Sequence, residues 1–60
     1  MDHATITELR QAANHLRRQC LALEEVLADP DAHEEQALRL AMARVEMATA
    51  CLTTLINYLR

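Results

Sequence analysis

The sequence contains no glycine, phenylalanine or tryptophan, one proline, Pro30, and one aromatic residue, Tyr58. Strands are enriched in aromatic and β-branched residues, so a β-sheet has little support. Leucine and alanine dominate instead, with glutamate, arginine and glutamine at the polar positions. These residue types lose little free energy on entering a helix. The sequence therefore predicts an all-α fold.

Lysine is also absent, so all six basic residues are arginines, and the formal net charge is -3. This charge provides no strong attraction to nucleic acid or to an anionic membrane. No apolar run approaches the roughly 20 residues that cross a bilayer. The N-terminal Met-Asp-His-Ala-Thr lacks the basic and apolar regions of a secretion signal. We therefore expect a cytoplasmic protein.

The chain has 60 residues, of which 52% are hydrophobic, so disorder is not expected. A fold of this size buries only about 60% of the surface that its unfolded chain exposes. Scaffolds as small as this usually need disulfides, a metal or oligomerisation to become stable. We expect a single domain over residues 1–60 that depends on one of these three.

Pro30 is the strongest interruption of the helical pattern. Proline disfavours the helical conformation for the residue before it, so the first helix should end near Ala28. Pro30 itself suits the first turn of a second helix, with Asp29 as its cap. Near the N-terminus, Thr5 and Glu8 match a capping box. The sequence predicts a first helix over about residues 6–28, a turn over about 29–31 and a second helix over about 32–59.

Each helix has a seam of apolar residues whose spacing alternates between three and four. Because the turn is short, the two helices should lie antiparallel as neighbours and pack along these seams. The sequence thus predicts a two-helix antiparallel hairpin of coiled-coil type. The first seam consists of Ile6, Leu9, Ala13, Leu16, Cys20, Leu23 and Leu27, and the second of Leu38, Ala41, Val45, Ala48, Leu52, Leu55 and Leu59.

The second helix also has apolar residues outside its seam, whereas the remaining positions of the first helix are mostly polar. A helix that is apolar over most of its circumference expects protein on more than one side. An exposed apolar patch of that extent usually marks an interface. We therefore expect a partner protein or a second copy to complete the core. The predicted partner-binding residues are Leu40, Met42, Met47, Cys51, Ile56 and Tyr58, of which Leu40, Met47, Cys51 and Tyr58 form a stripe beside the seam.

The cysteines and histidines give no sign of a disulfide or a metal site. Cys20 and Cys51 lie at unequal distances from the turn, so roughly 13 Å of helix axis should separate them, too far for a disulfide within the chain. His3, His15 and His33 lack the spacing of a zinc site. No glycine-rich phosphate loop and no nucleophile beside a base are evident. We therefore expect no enzyme, no cofactor and no small-molecule substrate.

Three segments of the second half of the chain resemble a known family. They are the Asp29-Pro30 turn, the run Arg44-Val45-Glu46-Met47-Ala48 and an aliphatic helix that ends near Asn57-Tyr58. In these segments the sequence resembles the small helical-hairpin co-chaperones of type III secretion, the YscE/SsaE-like family. The resemblance implies a binding role: members pair with a second, repeat-helical chaperone, and together the two hold the needle subunit soluble in the cytoplasm.

An alternative interpretation rests on arginines of the first helix. Arg10, Arg17 and Arg18 could follow an RNA backbone along one face. Glu24 and Glu25 lie nearby, however, and the helix has no aromatic residue for stacking on bases. We therefore expect a protein rather than a nucleic acid as the partner.

A second resemblance favours that alternative. Residues 16–23 and residues 31–34 resemble the first helix and the bend of the plasmid copy-number RNA-binding hairpins, the ROP family, which dimerise into four-helix bundles. The resemblance implies RNA binding by a homodimer. The family's RNA face uses lysines and an aromatic ring, whereas this sequence has no lysine and has His15 at the place of the ring.

Overall fold

The computed structural model describes residues 2–28 and 35–60, and both segments are helical. Helix α1 spans His3–Ala28 and helix α2 spans Glu35–Leu59. The two helices pack against each other in an antiparallel hairpin, which confirms the predicted all-α fold. The predicted turn over residues 29–31, with Asp29 as cap and Pro30 in the first turn, lies outside the described residues, as does the predicted start of the second helix near residue 32.

Helix α1 begins with a different cap from the predicted one. The amide of Thr5 donates a hydrogen bond of 2.8 Å to the Asp2 carboxylate, and so Asp2 satisfies an amide that has no partner within the helix. Hydrogen bonds from the Thr5 side chain and amide lower the pKa of Asp2. The predicted capping box of Thr5 and Glu8 was therefore wrong. Thr5 already lies within the first turn, because the helix starts at His3 rather than near Ile6.

Two alanines of α2 lie at the centre of the contact between the helices. Ala48 is 2% exposed and Ala41 is 8% exposed, and no other described residue is buried. Small residues at such positions allow the helix axes to approach closely. Every residue of the predicted second seam is buried or half-buried, which confirms that seam.

Helix α1 is rotated about its axis relative to the prediction. Part of the predicted first seam is half-buried in the contact: Leu9, Leu16, Cys20 and Leu23. The rest of that seam is exposed, and for these positions the prediction was wrong: Ile6, Ala13 and Leu27. Their places in the contact are taken by half-buried residues one position earlier in the sequence: Thr5, Ala12 and Val26. Gln19, one position before Cys20, is half-buried as well.

This rotation places large side chains of α1 against small ones of α2. Leu16 and Leu23 lie about as far from the turn end of α1 as Ala48 and Ala41 lie from the turn end of α2. The leucines can therefore fill the space that the alanines leave, as close packing requires. Both possible sets of flanking positions continue the three-four alternation from these leucines, so the spacing alone does not distinguish them.

The two helices form a single layer. The principal dimensions are 46 × 15 × 11 Å and the radius of gyration of the Cα atoms is 14.1 Å, whereas a compact chain of this length has a radius of about 10 Å. The accessible surface is 5017 Å², against about 4,000 Å² for a compact protein of this mass. The hairpin therefore leaves about 1,000 Å² more surface in water than a closed fold of the same size.

Candidate protein-binding surfaces

A single layer of two helices has two broad sides, and different residues project from each. An open groove runs between the helices on one side, which we call the Cys51 flank. We call the opposite side the Ile56 flank, because five residues turn a helix by roughly 140° and so Ile56 projects away from the side of Cys51. The groove of the Cys51 flank is lined by Glu8, Gln11, Ala12, His15, Cys51 and Leu55.

The six predicted partner-binding residues are divided between these flanks. Residues seven apart share a side of a helix, so Tyr58 projects with Cys51 and Met47 projects with Leu40. Met47 also lies four residues before Cys51, which places it along the outer edge of the Cys51 flank. The structure thus brings the predicted stripe together on one side. The other two residues of the set, on the opposite side, are Met42 and Ile56.

The stripe on the Cys51 flank is open to solvent. Tyr58 is 85% exposed, Met47 is 73% exposed and Leu40 is 52% exposed, and Cys51 is also exposed. Helix α1 therefore covers little of this surface. A row of open apolar side chains at helical spacing suits packing against another helix, and the unbranched Met47 side chain can adapt its shape to that partner.

The α1 side of the Cys51 flank is more polar. Glu8 and His15 line the groove across from Cys51, and the half-buried Gln19 continues this row toward the turn. A helix seated in the groove would therefore meet apolar groups on the α2 side and hydrogen-bonding groups on the α1 side. Interfaces of non-obligate complexes combine the two in this way.

The Ile56 flank has apolar residues that were predicted to lie in the first seam. Ala12 lines the groove of the Cys51 flank. Residues of α1 on the other side of the row formed by Leu9, Leu16 and Leu23 therefore face the Ile56 flank. Ile6, which is 41% exposed, and Leu27, which is 65% exposed, belong to this group. In the sequence, these two residues recur with Ala13 and Cys20 at intervals of seven, a spacing that places all four on one side of α1.

This finding changes the expected contrast between the two helices. The polar residues that α1 was predicted to expose outside its seam are exposed, but Ile6 and Leu27, which were predicted to lie in the seam, are exposed as well. The large hydrophobic residues that it exposes are Ile6, Leu21 and Leu27, and those that α2 exposes are Leu40, Met42, Met47, Ile56 and Tyr58. Both helices therefore contribute apolar surface, and on the Ile56 flank they do so together.

The outer side of α1, which faces away from α2, contains the arginines of the RNA-binding interpretation. Arg10, Arg17 and Arg18 are exposed, and none of them forms a salt bridge with another described residue. Leu21 lies among them and is 50% exposed. This surface is therefore basic toward the N-terminus with one apolar residue in it.

The cysteines and histidines do not come together in the described part of the chain. Cys20 and Cys51 are free thiols, and within residues 2–28 and 35–60 no three His, Cys, Asp or Glu side chains are grouped to hold a metal ion. His33 lies outside these residues. Neither described helix is long and apolar enough to cross a membrane. No family model, curated protein or solved structure matches the chain.

Proposed function

We propose that this chain is a non-enzymatic protein-binding module that packs against the helices of another chain. One observation supports this most directly. Large aliphatic side chains are open to water, whereas the buried residues of the described part of the chain are two alanines. Burying apolar surface is the main favourable term in folding and in association. A single layer of helices obtains this favourable free energy only when another layer of protein covers its apolar surface.

The partner role that fits best is that of a type III secretion co-chaperone in the cytoplasm. In this role the chain pairs with a helical-repeat chaperone, and the pair keeps the needle subunit soluble. The support comes from the resemblance to the YscE/SsaE-like family together with the positions of the resembling residues. Met47 and Tyr58 belong to those segments and are the two most exposed large hydrophobic residues of the described part of the chain.

The Cys51 flank is the surface that we assign to this partner. A helix of the chaperone would lie along the stripe of Leu40, Met47, Cys51 and Tyr58, in the way that amphipathic helices pack into apolar grooves. The Tyr58 ring would be buried there while its hydroxyl stays in contact with water, a common arrangement for an interface anchor. The polar row of Glu8 and His15 would border the same helix.

Affinity purification of the full chain from its native cells, with mass spectrometry of the bound proteins, tests this role. We expect a larger helical-repeat protein and a small needle-type subunit to be recovered in stoichiometric amounts. Addition of the reconstituted pair should keep that subunit from polymerising, as followed by light scattering. Recovery of the 6.8 kDa species alone, or of a pair that leaves polymerisation unchanged, would contradict the co-chaperone proposal.

A homodimeric RNA-binding regulator of the ROP type is the second candidate. The observation that favours it is the row of exposed arginines on the outer side of α1. RNA recovered in the same purification would support it, provided that binding weakens steeply as salt is raised, because phosphate contacts release counterions.

A further inference from the structure

We propose that the Ile56 flank binds a second copy of this chain, forming a four-helix bundle in which α1 of each copy lies on α2 of the other. In this arrangement the twofold axis runs along the bundle and both turns lie at the same end. The proposal does not depend on the co-chaperone role, which uses the opposite flank.

Both helices supply apolar residues to the Ile56 flank, at matching distances along the helix axis from the turn end. Ile6 and Ile56 lie near the open end of the hairpin, and Cys20 and Met42 lie nearer the turn. When the second copy is placed by the twofold axis, Ile6 therefore meets Ile56 of that copy and Cys20 meets Met42. Large side chains meet at the open end and smaller ones toward the middle, as in a close-packed core.

The middle of the flank is made of small side chains. Ala13 and Thr49 lie at nearly the same level, so the helices of two copies can approach closely there. The Thr49 hydroxyl donates a hydrogen bond of 2.8 Å to the carbonyl of Val45. Because this polar group already has a partner, burying Thr49 in an interface leaves no unsatisfied donor.

The charges along the outer edges of the flank are complementary in this arrangement. Arg17 and Glu46 lie equally far from the turn ends of their helices, and so do Glu24 and Arg39. All four are exposed, and each lies three or four residues from a residue of the flank. Arg17 of one copy therefore meets Glu46 of the second copy, and Glu24 meets Arg39, whose guanidinium also forms a salt bridge of 2.6 Å with Glu35 of its own helix.

The alternative dimer, with turns at opposite ends, brings like charges together. There α1 lies on α1 and α2 lies on α2, and full overlap of the helices places the twofold axis near the level of Arg17 and Glu46. Each of these residues would then face its own copy. Arg10 also meets Glu24 of the other copy there, but like charges held this close at the axis oppose association. The bundle with both turns at one end has only opposite charges at these four positions and is therefore favoured.

The surface area also agrees with a dimer. The hairpin exposes about 1,000 Å² more than a compact protein of its mass. A stable interface needs about 600–1,000 Å² from each copy, and the excess surface of the hairpin, which is spread over both flanks, is of that order.

Sedimentation equilibrium on the full chain gives the first test. We expect a species of twice the 6.8 kDa chain mass. The substitution Ile56→Glu should weaken dimerisation by about 100-fold, because a carboxylate would be buried in the apolar interface. Met47→Glu is the matched control on the other flank of the same helix, and it should leave the dimer unchanged. A chain that stays monomeric at high concentration, or equal effects of the two variants, would overturn the proposal.

Charge reversal tests the geometry without disturbing the apolar residues. Arg17→Glu and Glu46→Arg should each weaken the dimer by about tenfold, and the double variant should restore it, since the two side chains lie on opposite edges of one hairpin and meet only between copies. Failure of the double variant to restore dimerisation would refute this arrangement. So would restoration by Arg10→Glu combined with Glu24→Arg, which is the pair that meets when the turns lie at opposite ends.

Discussion

Replacing Ala48 by glutamate should unfold the isolated chain. Ala48 is 2% exposed at the centre of the contact between the helices, and a carboxylate placed there has no described charged partner. Burying it costs several kcal/mol, and the added volume forces the helices apart at a further cost of about 1–3 kcal/mol. A scaffold of this size has only about 3–5 kcal/mol in total. Far-ultraviolet circular dichroism should therefore show the loss of most helical signal.

Ala43→Glu is the control for this substitution. Ala43 lies in the same helix and is exposed, and alanine and glutamate differ little in helix propensity. The Ala43→Glu chain should keep its helical signal and its thermal transition. Equal helicity of the two variants would mean that the contact between α1 and α2 is not what holds the helices together.

The double substitution Leu40→Glu and Met47→Glu should abolish binding to the proposed chaperone partner and preserve the hairpin. Both side chains are more than half exposed, so replacing them removes little packing within the hairpin. In a complex they would be buried, and truncating such anchors typically costs 2 kcal/mol or more for each residue. The expected loss of affinity is about 1,000-fold, to be measured by isothermal titration calorimetry with the purified partner.

Leu21→Glu is the matched control for the stripe. Leu21 is 50% exposed and Leu40 is 52% exposed, but Leu21 lies on the outer side of α1. Its substitution should leave partner affinity unchanged. If the Leu21 variant loses binding and the stripe variant retains it, the partner binds the outer side of α1 and the Cys51 flank is not the site.

The second helix could be predicted from the sequence more completely than the first. The seam of α2 includes Ala41 and Ala48, and the positions around it include Arg39, Glu46 and Thr53, so a single inward direction satisfies the pattern. In α1, residues on either side of the row of Leu9, Leu16 and Leu23 continue the three-four spacing equally well. Which side of this row packs against α2 depends on where the alanines of α2 lie. This is a tertiary contact, and the spacing of residues within α1 does not predict it.

The candidate surfaces were predicted in part. The six predicted residues, all on α2, divide into two surfaces because Met42 and Ile56 project to the other side of the seam from Cys51. Because α1 is turned, Ile6 and Leu27 leave the predicted first seam and join these two residues on the Ile56 flank. The exposed positions of Met47 and Tyr58 needed only the seam of α2 and could be inferred from spacing. The cap at Asp2 was missed because Thr5 and Glu8 also match a capping motif, and sequence alone does not rank two overlapping caps.

We expect this hairpin to depend on another chain for its stability, and thermal unfolding of the isolated protein over a wide range of concentrations is the decisive measurement. Association stabilises the folded state by mass action, so the midpoint should rise with concentration and the fully diluted chain should have less than about 5 kcal/mol of stability. A monomer with a concentration-independent midpoint and a stability well above that value would contradict it.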